Sequence, residues 1–339
     1  MSESLLHVTR GNCVENIHRG DIAVVDHQGH LAAWLGDPQK RTFMRSCAKP
    51  IQALAVIETG AAEAYGITDR ELAVMCASHY AEPFHVEAVR SVLEKLGLSE
   101  EHLLCGASYS LNEEVLQRMC LAGKPKRRIY NNCSGKHAGM LAVVRRMGLS
   151  LDAYDQAEHP LQQLTLRTLS EVCEVPAGEI GLGIDGCGVP VVALPLYNMA
   201  LSFAKLAHSS VFPPLRQRAA DAVTAAMRMH PEMVAGTGGF CTELMRLTHG
   251  KLFAKLGADA VYCIGVPERG IGIAVKVEDG NMKVLSSAVM ETLKQLEVLS
   301  PQELEALKHF HFKENINSLG QQVGMVQPVF RLETGRFDS

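Results

Sequence analysis

The chain reads as an α+β protein. An antiparallel sheet is built from strands at both ends of the sequence, flanked by helices and accompanied by a helical subdomain. Two observations predict this. Strand-like runs gather near the N-terminus and again after residue 250, while the middle of the chain carries apolar spacing of helical period. The late strands are joined by a few residues only, and parallel neighbours need long crossovers, so these strands pair antiparallel. Helices then pack on the sheet to bury its apolar face. With 339 residues and 47% apolar content, the chain has ample material for a core. No repeat, low-complexity segment or evident linker divides it. Residues 1–339 are therefore expected as one domain, subdividing into a sheet part (1–45 and 250–335) and a helical part (46–249).

The elements follow in order. Ile22–Asp26 and Leu31–Trp34 alternate as a hairpin around a turn at His27–His30. Ile51–Ala62 is an Ala-rich apolar helix; Pro50 is tolerated because the first turn of a helix has no use for its N–H. Asp69–Ser78 is a second helix, with Thr68 as N-cap and Glu71 completing a capping box. Helices are expected at Pro83–Leu96, Glu113–Leu121, Gly135–Met147, Asp152–Cys173, Pro195–Ala207 and Pro214–Met229. Strands return at Lys251–Lys255, Ala260–Val266 and Ile271–Val277, with turns at Leu256–Asp259 and Pro267–Gly270. An amphipathic helix at Met282–Leu296 and a short strand at Gly324–Leu332 close the chain.

Composition excludes several function classes. A net charge of −4 and a pI near 6.4 suit neither nucleic acid nor an anionic membrane surface. No uninterrupted apolar run reaches the length of a membrane span. Met1-Ser-Glu-Ser lacks the basic and apolar regions of a secretory signal, so a cytoplasmic location is expected. The ten cysteines include no Cys-x-x-Cys pair and read mostly as reduced thiols filling the core, with one or two left as possible ligands.

The chemistry is placed first at Arg45-Ser46-Cys-Ala-Lys49-Pro50. Ser46 stands at a helix N-terminus and Lys49 lies three residues on, over the same face. A positive helix end and a nearby amine both favour an alkoxide, and a desolvated lysine is a base able to make one. Ser-x-x-Lys by itself is common, and the bland alternative is an N-cap beside a surface lysine. Cys76-Ala-Ser78-His79 reads locally as a helix C-terminus with a favourable histidine. Asn131-Asn-Cys133-Ser-Gly-Lys136-His137-Ala-Gly139 is the most unusual run. It is not a phosphate loop, since the first glycine is missing, and its lysine and histidine sit at a helix end that should repel them. Gly181-Leu-Gly-Ile-Asp185-Gly-Cys187-Gly is a glycine-rich loop bearing one carboxylate and one thiol, without the dinucleotide fingerprint. Gly236-Thr-Gly-Gly239 reads as an oxyanion- or carboxylate-binding loop or as a helix entry. Lys255, on a late strand, is ordinarily an edge guard against aggregation.

Taken together, Arg45-Ser-Cys-Ala-Lys-Pro, Cys76-Ala-Ser-His, Asn132-Cys-Ser-Gly-Lys-His, Asp185-Gly-Cys and Phe253-Ala-Lys-Leu-Gly-Ala resemble the L-asparaginase II family, the rhizobial-type (class 3) asparaginases. The motifs spread over roughly residues 7 to 330 in the family's order. The resemblance implies a fold similar to serine β-lactamases and class A glutaminases, and hydrolysis of L-asparagine to L-aspartate and ammonia. It implies two serine–lysine pairs, Ser46 with Lys49 and Ser78 with Lys255, the neighbouring Lys251 being the alternative to Lys255. It implies a zinc site of Cys133, Lys136 and Cys187 with Asp185 beside it. Arg45, Asp185 and His137 are the candidates for holding the substrate, and a homodimer is the expected assembly. Tyr80-Ala81 departs from the pattern, which leads one to expect Ser-Gly there. The expected reaction is acyl transfer with Ser46 as nucleophile and Lys49 as base, the second pair relaying protons or supplying the nucleophile instead. The rivals are a glutaminase or other Ser–Lys amidohydrolase, and a non-catalytic zinc- or redox-binding protein using Cys133 and Cys187.

Overall fold

The computed structural model describes residues 1–335. It divides into two compact units. The first holds Met1–Cys47, Leu194–His208 and the chain from Glu243 onward; the second holds Ala48–Ala193 and Ser209–Thr242.

The first unit is built on a nine-stranded sheet. Its strands are β1 (Glu3–Arg10), β2 (Cys13–Asp26), β3 (Leu31–Leu35), β4 (Phe253–Gly257), β5 (Val261–Val266), β6 (Ile271–Val277), β7 (Lys313–Ile316), β8 (Gln322–Pro328) and β9 (Glu333–Thr334). The order is β7-β8-β1-β2-β6-β5-β4, with β3 pairing to β2 and β9 to β3. The pairings are antiparallel, and β2 joins the two ends of the chain: Ile22 faces Val275 and Val24 faces Ile273 on β6. The expected α+β architecture, with a sheet drawn from both termini, is therefore observed.

The hairpin does not alternate between core and solvent. Ile22, Ala23, Val24 and Val25 are all fully buried, so both faces of the sheet are covered here. Helix Leu196–Ala207 covers one of them, packing on β2, β5 and β6. Its approach is close: a Cβ on Gly272 would stand 1.9 Å from the Ala200 carbonyl oxygen. This helix was expected in the helical part, but its apolar face returns it to the sheet unit.

Other boundaries shift for local reasons. β4 starts at Phe253 rather than Lys251 and runs to Gly257, so the following turn moves to residues 258–260, where Asp259 and Ala260 take positive φ. The last long strand is Gln322–Pro328 rather than Gly324–Leu332, and β1 and β7 add to the sheet beyond the expected strands.

The second unit is mostly helical. Helix Lys49–Glu58 is central, packing on Pro214–Met229, Pro160–Cys173 and Ser134–Met147 and burying Ile51, Leu54 and Val56. Helix Asp69–Met75 carries the expected capping box: Glu71 N–H donates to Thr68 Oγ1, and Thr68 N–H to Glu71 Oε2. It ends three residues earlier than expected because the chain after it pairs elsewhere: Ser78 N–H donates to the Val234 carbonyl and Tyr80 N–H to that of Ala235. Helix Pro160–Cys173 likewise starts later than Asp152, since proline fits its first turn and the His159 ring accepts from Leu161 N–H. A ribbon, Gly181–Ile184 antiparallel to Pro190–Pro195, holds Asp185 and Cys187 at its turn.

Candidate active site

Lys49 is the first residue of its helix, following a 3₁₀ turn at Arg45–Ala48. Pro50 occupies the first turn as anticipated. The Lys49 side chain is 1% exposed. Its Nζ donates to Ser78 Oγ at 3.1 Å and to the Ala77 carbonyl. Ser78 stands in the extended segment after Met75, and that segment is tied on several sides. His79 N–H donates to the Asn132 carbonyl, and Ser110 Oγ donates to the Tyr80 carbonyl at 2.5 Å.

His79 is fully buried and outside the helix, so it is not a cation at a helix C-terminus. Its Nδ1 accepts from Ala81 N–H, which leaves the proton on Nε2 to meet Ser134 Oγ at 2.8 Å. Burial, with His85 and Lys49 nearby, holds its pKa well below the usual range. His79 is thus a neutral strut for the Ser78 turn.

A second cluster lies in the same unit. Cys133 precedes helix Ser134–Met147, whose first turn carries Lys136 and His137. The ribbon turn brings Asp185 and Cys187 to them. Cys133 Sγ, Cys187 Sγ and a carboxylate oxygen of Asp185 all lie within 4.8 Å of one another. Lys136 Nζ donates to Cys187 Sγ at 2.9 Å and stands 3.9 Å from Asp185 Oδ2.

The electrostatics form one system. A hydrogen bond from Cys187, helped by the Lys49 and Lys136 charges, pulls the Cys133 thiol well below its ordinary range. The same hydrogen bond, together with burial, pushes the Cys187 thiol up. Burial opposes the charge on Lys136, but Cys133, Cys187 and Asp185 outweigh it and hold the ammonium charged. This answers the misfit in the sequence: a lysine at a positive helix end is balanced by the Cys187 sulfur and the Asp185 carboxylate beside it.

His137 is locked by hydrogen bonding. Tyr154 OH accepts from Leu104 N–H at 3.0 Å and so donates to His137 Nδ1 at 2.7 Å. The His137 proton then sits on Nε2, a buried atom with no partner among the described residues. Burial, then the Lys136 and Lys49 charges, keep the ring neutral by driving its pKa well down.

The profile of the L-asparaginase II family matches residues 6–328. The chain belongs to the L-asparaginase II family. That makes it an L-asparaginase-type amidohydrolase, an enzyme class whose substrate is a small molecule. No protein with a curated description matches it. Among solved structures it is similar to a β-lactamase from Mycobacterium bovis, at 16% identity and TM-score 0.41, covering 81% of this chain and 94% of that one. It is also similar to an octameric penicillin-binding protein homologue from Pyrococcus abyssi, at 12% identity and TM-score 0.43, covering 84% and 74%. No helix among the described residues is long and apolar enough to cross a membrane.

In this asparaginase-family chain, the structure gathers Lys49, Ser78, Cys133, Lys136, His137, Asp185 and Cys187 within the second unit. Arg45, Ser46 and Lys255 belong to the first. There, Arg45 takes positive φ and its guanidinium is paired with the Asp259 carboxylate. Ser46 is 8% exposed. Lys255 is fully buried although β4 is the edge strand, so it is no guard facing solvent; its Nζ donates to the Leu256 carbonyl at 2.6 Å. Lys251 instead stands partly exposed, 3.6 Å from Glu303, so of the two lysines only Lys255 has the burial of an internal amine.

Among the described residues, Cys133, Asp185 and Cys187 carry ligand atoms close enough together to hold a metal ion. Two further residues had no signal in the sequence. Tyr154 reaches His137 from an irregular loop, and Cys105, pushed up to about 12 chiefly by burial, feels the Cys133 charge.

Proposed function

We propose that the protein is an L-asparaginase, hydrolysing L-asparagine to L-aspartate and ammonia by serine–lysine catalysis. The observation that carries this reading is the buried Lys49 amine hydrogen-bonded to Ser78 Oγ at 3.1 Å, in a chain of the asparaginase II family. A lysine in that position acts as base once it has shed its proton. It takes the hydroxyl proton as the serine oxygen attacks the side-chain amide carbon. The same proton returns to the nitrogen, ammonia departs, and an ester links aspartate to the serine. Water then attacks the ester, giving its proton to Lys49, and aspartate leaves as the serine hydroxyl re-forms.

On the Ser-x-x-Lys spacing alone, Ser46 is the attacking serine, the first reading. The hydrogen bond to Lys49 favours a second reading, in which Ser78 attacks. His137 Nε2–H, buried and unpartnered, supports His137 as a donor toward a substrate oxygen. Asp185 is the candidate anchor for the α-amine. Cys133, Lys136 and Cys187 would hold zinc, with Asp185 beside it, and zinc when bound would supply a Lewis acid. The proposed assembly is a homodimer, read by analytical ultracentrifugation.

The test is ammonia release from L-asparagine beside L-glutamine, followed by acid quenching and peptide mass mapping of the acyl-enzyme. Release from asparagine with the adduct on Ser46 supports the first reading. An adduct on Ser78 supports the second. No release from asparagine removes the substrate assignment.

A further inference from the structure

The Ser78 turn departs from the sequence pattern at Tyr80-Ala81, and the structure shows what occupies the space around the tyrosine. Tyr80 faces the loop Gly236-Thr-Gly-Gly239. A Cβ on Gly236 would lie 2.5 Å from Tyr80 Cδ2, and one on Gly239 would lie 2.9 Å from the Tyr80 hydroxyl oxygen. The two glycines therefore form a notch that the ring fills. Of the two readings of that loop the helix entry is the one observed, since helix Phe240–Leu247 follows it, and its glycines make room for a side chain of the protein itself.

The ring is one of several ties between the two segments. Ser78 N–H donates to Val234 O and Tyr80 N–H to Ala235 O, both at 2.9 Å. Thr237 N–H donates to Glu82 Oε2 at 2.8 Å. Residues 78, 80 and 82 thus meet residues 234, 235 and 237 in succession. Between them Ala81 holds φ at +55°, a conformation an alanine keeps only when its surroundings enforce it. The Tyr80 phenol, pushed up to about 12 by burial with Cys241 and Glu82 nearby, stays neutral.

We propose that Tyr80 is a positioning residue for the Ser78–Lys49 pair: its ring, seated in the Gly236–Gly239 notch, locks the Ser78 turn and sets the hydroxyl at Lys49. The inference rests on the proposed serine–lysine reading. A smaller residue at position 80 leaves the notch empty, frees the strained turn and loosens the Ser78–Lys49 hydrogen bond. The ring does this work by filling space, so its hydroxyl is dispensable.

The test compares full-length Y80F, Y80L and Y80A with the unaltered chain. Three quantities are read: kcat and KM for L-asparagine, the thermal unfolding midpoint, and the rate at which a fluorophosphonate labels Ser46 or Ser78, located by peptide mapping. The expected result is Y80F within about twofold in kcat and labelling, and Y80A lower by about tenfold or more in both, with KM little changed. Y80L, which refills the notch without an aromatic ring, should fall between them, and it carries the comparison if Y80A does not fold. Equal kcat and labelling in all folded variants overturns the inference while leaving the serine–lysine reading intact. Labelling without ammonia release sinks the substrate assignment, and the labelling rates still test Tyr80. Neither labelling nor release in the unaltered chain overturns both.

Discussion

Replacing Lys49 by methionine tests the reading at its base. Methionine keeps most of the buried stem and removes the amine. In the structure that amine touches only protein groups among its named partners, Ser78 Oγ and the Ala77 carbonyl. Loss of a general base typically lowers a rate by about 10² to 10⁴, or about 3 to 5 kcal/mol of transition-state stabilisation. K49M should therefore lose kcat on that order while KM for L-asparagine changes only a few-fold. Stability moves through opposing effects. The Ala77 carbonyl loses its charged donor, which costs about 1–3 kcal/mol, while removal of a buried cation offsets part of that. The same substitution takes a positive charge from beside Cys133, so its thiol should titrate at higher pH. The assays are coupled ammonia release and thiolate absorbance against pH in metal-free protein. A K49M protein that retains more than about a tenth of its turnover would refute the assignment of Lys49 as base.

Zinc binding should release about two protons per ion near neutral pH, one from Lys136 and one from Cys187, both held protonated by their surroundings. Affinity should then rise with pH, and calorimetry in buffers of different ionisation enthalpy reads the count; release near zero would remove Lys136 from the ligand set. Glu71→Gln should destabilise the second unit by about 1–2 kcal/mol at neutral pH, because Glu71 completes the Thr68 capping box and accepts from Lys95 and Ser91. Burial raises the Glu71 pKa, but Lys95, Thr68 N–H and Ser91 together bring it below its ordinary value. The stabilisation is therefore present above that value and is lost as pH falls through the lowered one. The gap between the two proteins in chemical denaturation should close in acid, and a gap independent of pH would show that the carboxylate charge plays no part.

Much of the fold was legible because it rests on local chemistry. The capping box at Thr68 and Glu71, the proline-led helix at Pro214 and the strand at Ile271–Val277 stand where their residues put them. Boundaries failed where a segment answers to a distant partner. Ala77–Tyr80 leaves its helix because Val234 and Ala235 claim its N–H groups, and no local pattern records that pairing. The burial of Lys255 on an edge strand was equally hidden, since exposure depends on what covers the sheet.

The sequence by itself determined which chemical groups are present and how they are spaced. Ser46-x-x-Lys49, the run around Cys133 and Lys136, and the loop at Asp185 and Cys187 were all visible as unusual, and together they pointed to one family. Only the tertiary structure decided which of them meet. Lys49 and Ser78 are separated by 29 positions and Lys136 and Cys187 by 51, yet each pair lies within hydrogen-bond reach. Contacts at that separation are set by helix packing and by the ribbon turn, which no short window of sequence contains. The same holds for protonation: a lysine and two thiols have ordinary affinities for protons in isolation, and burial beside one another makes them unequal.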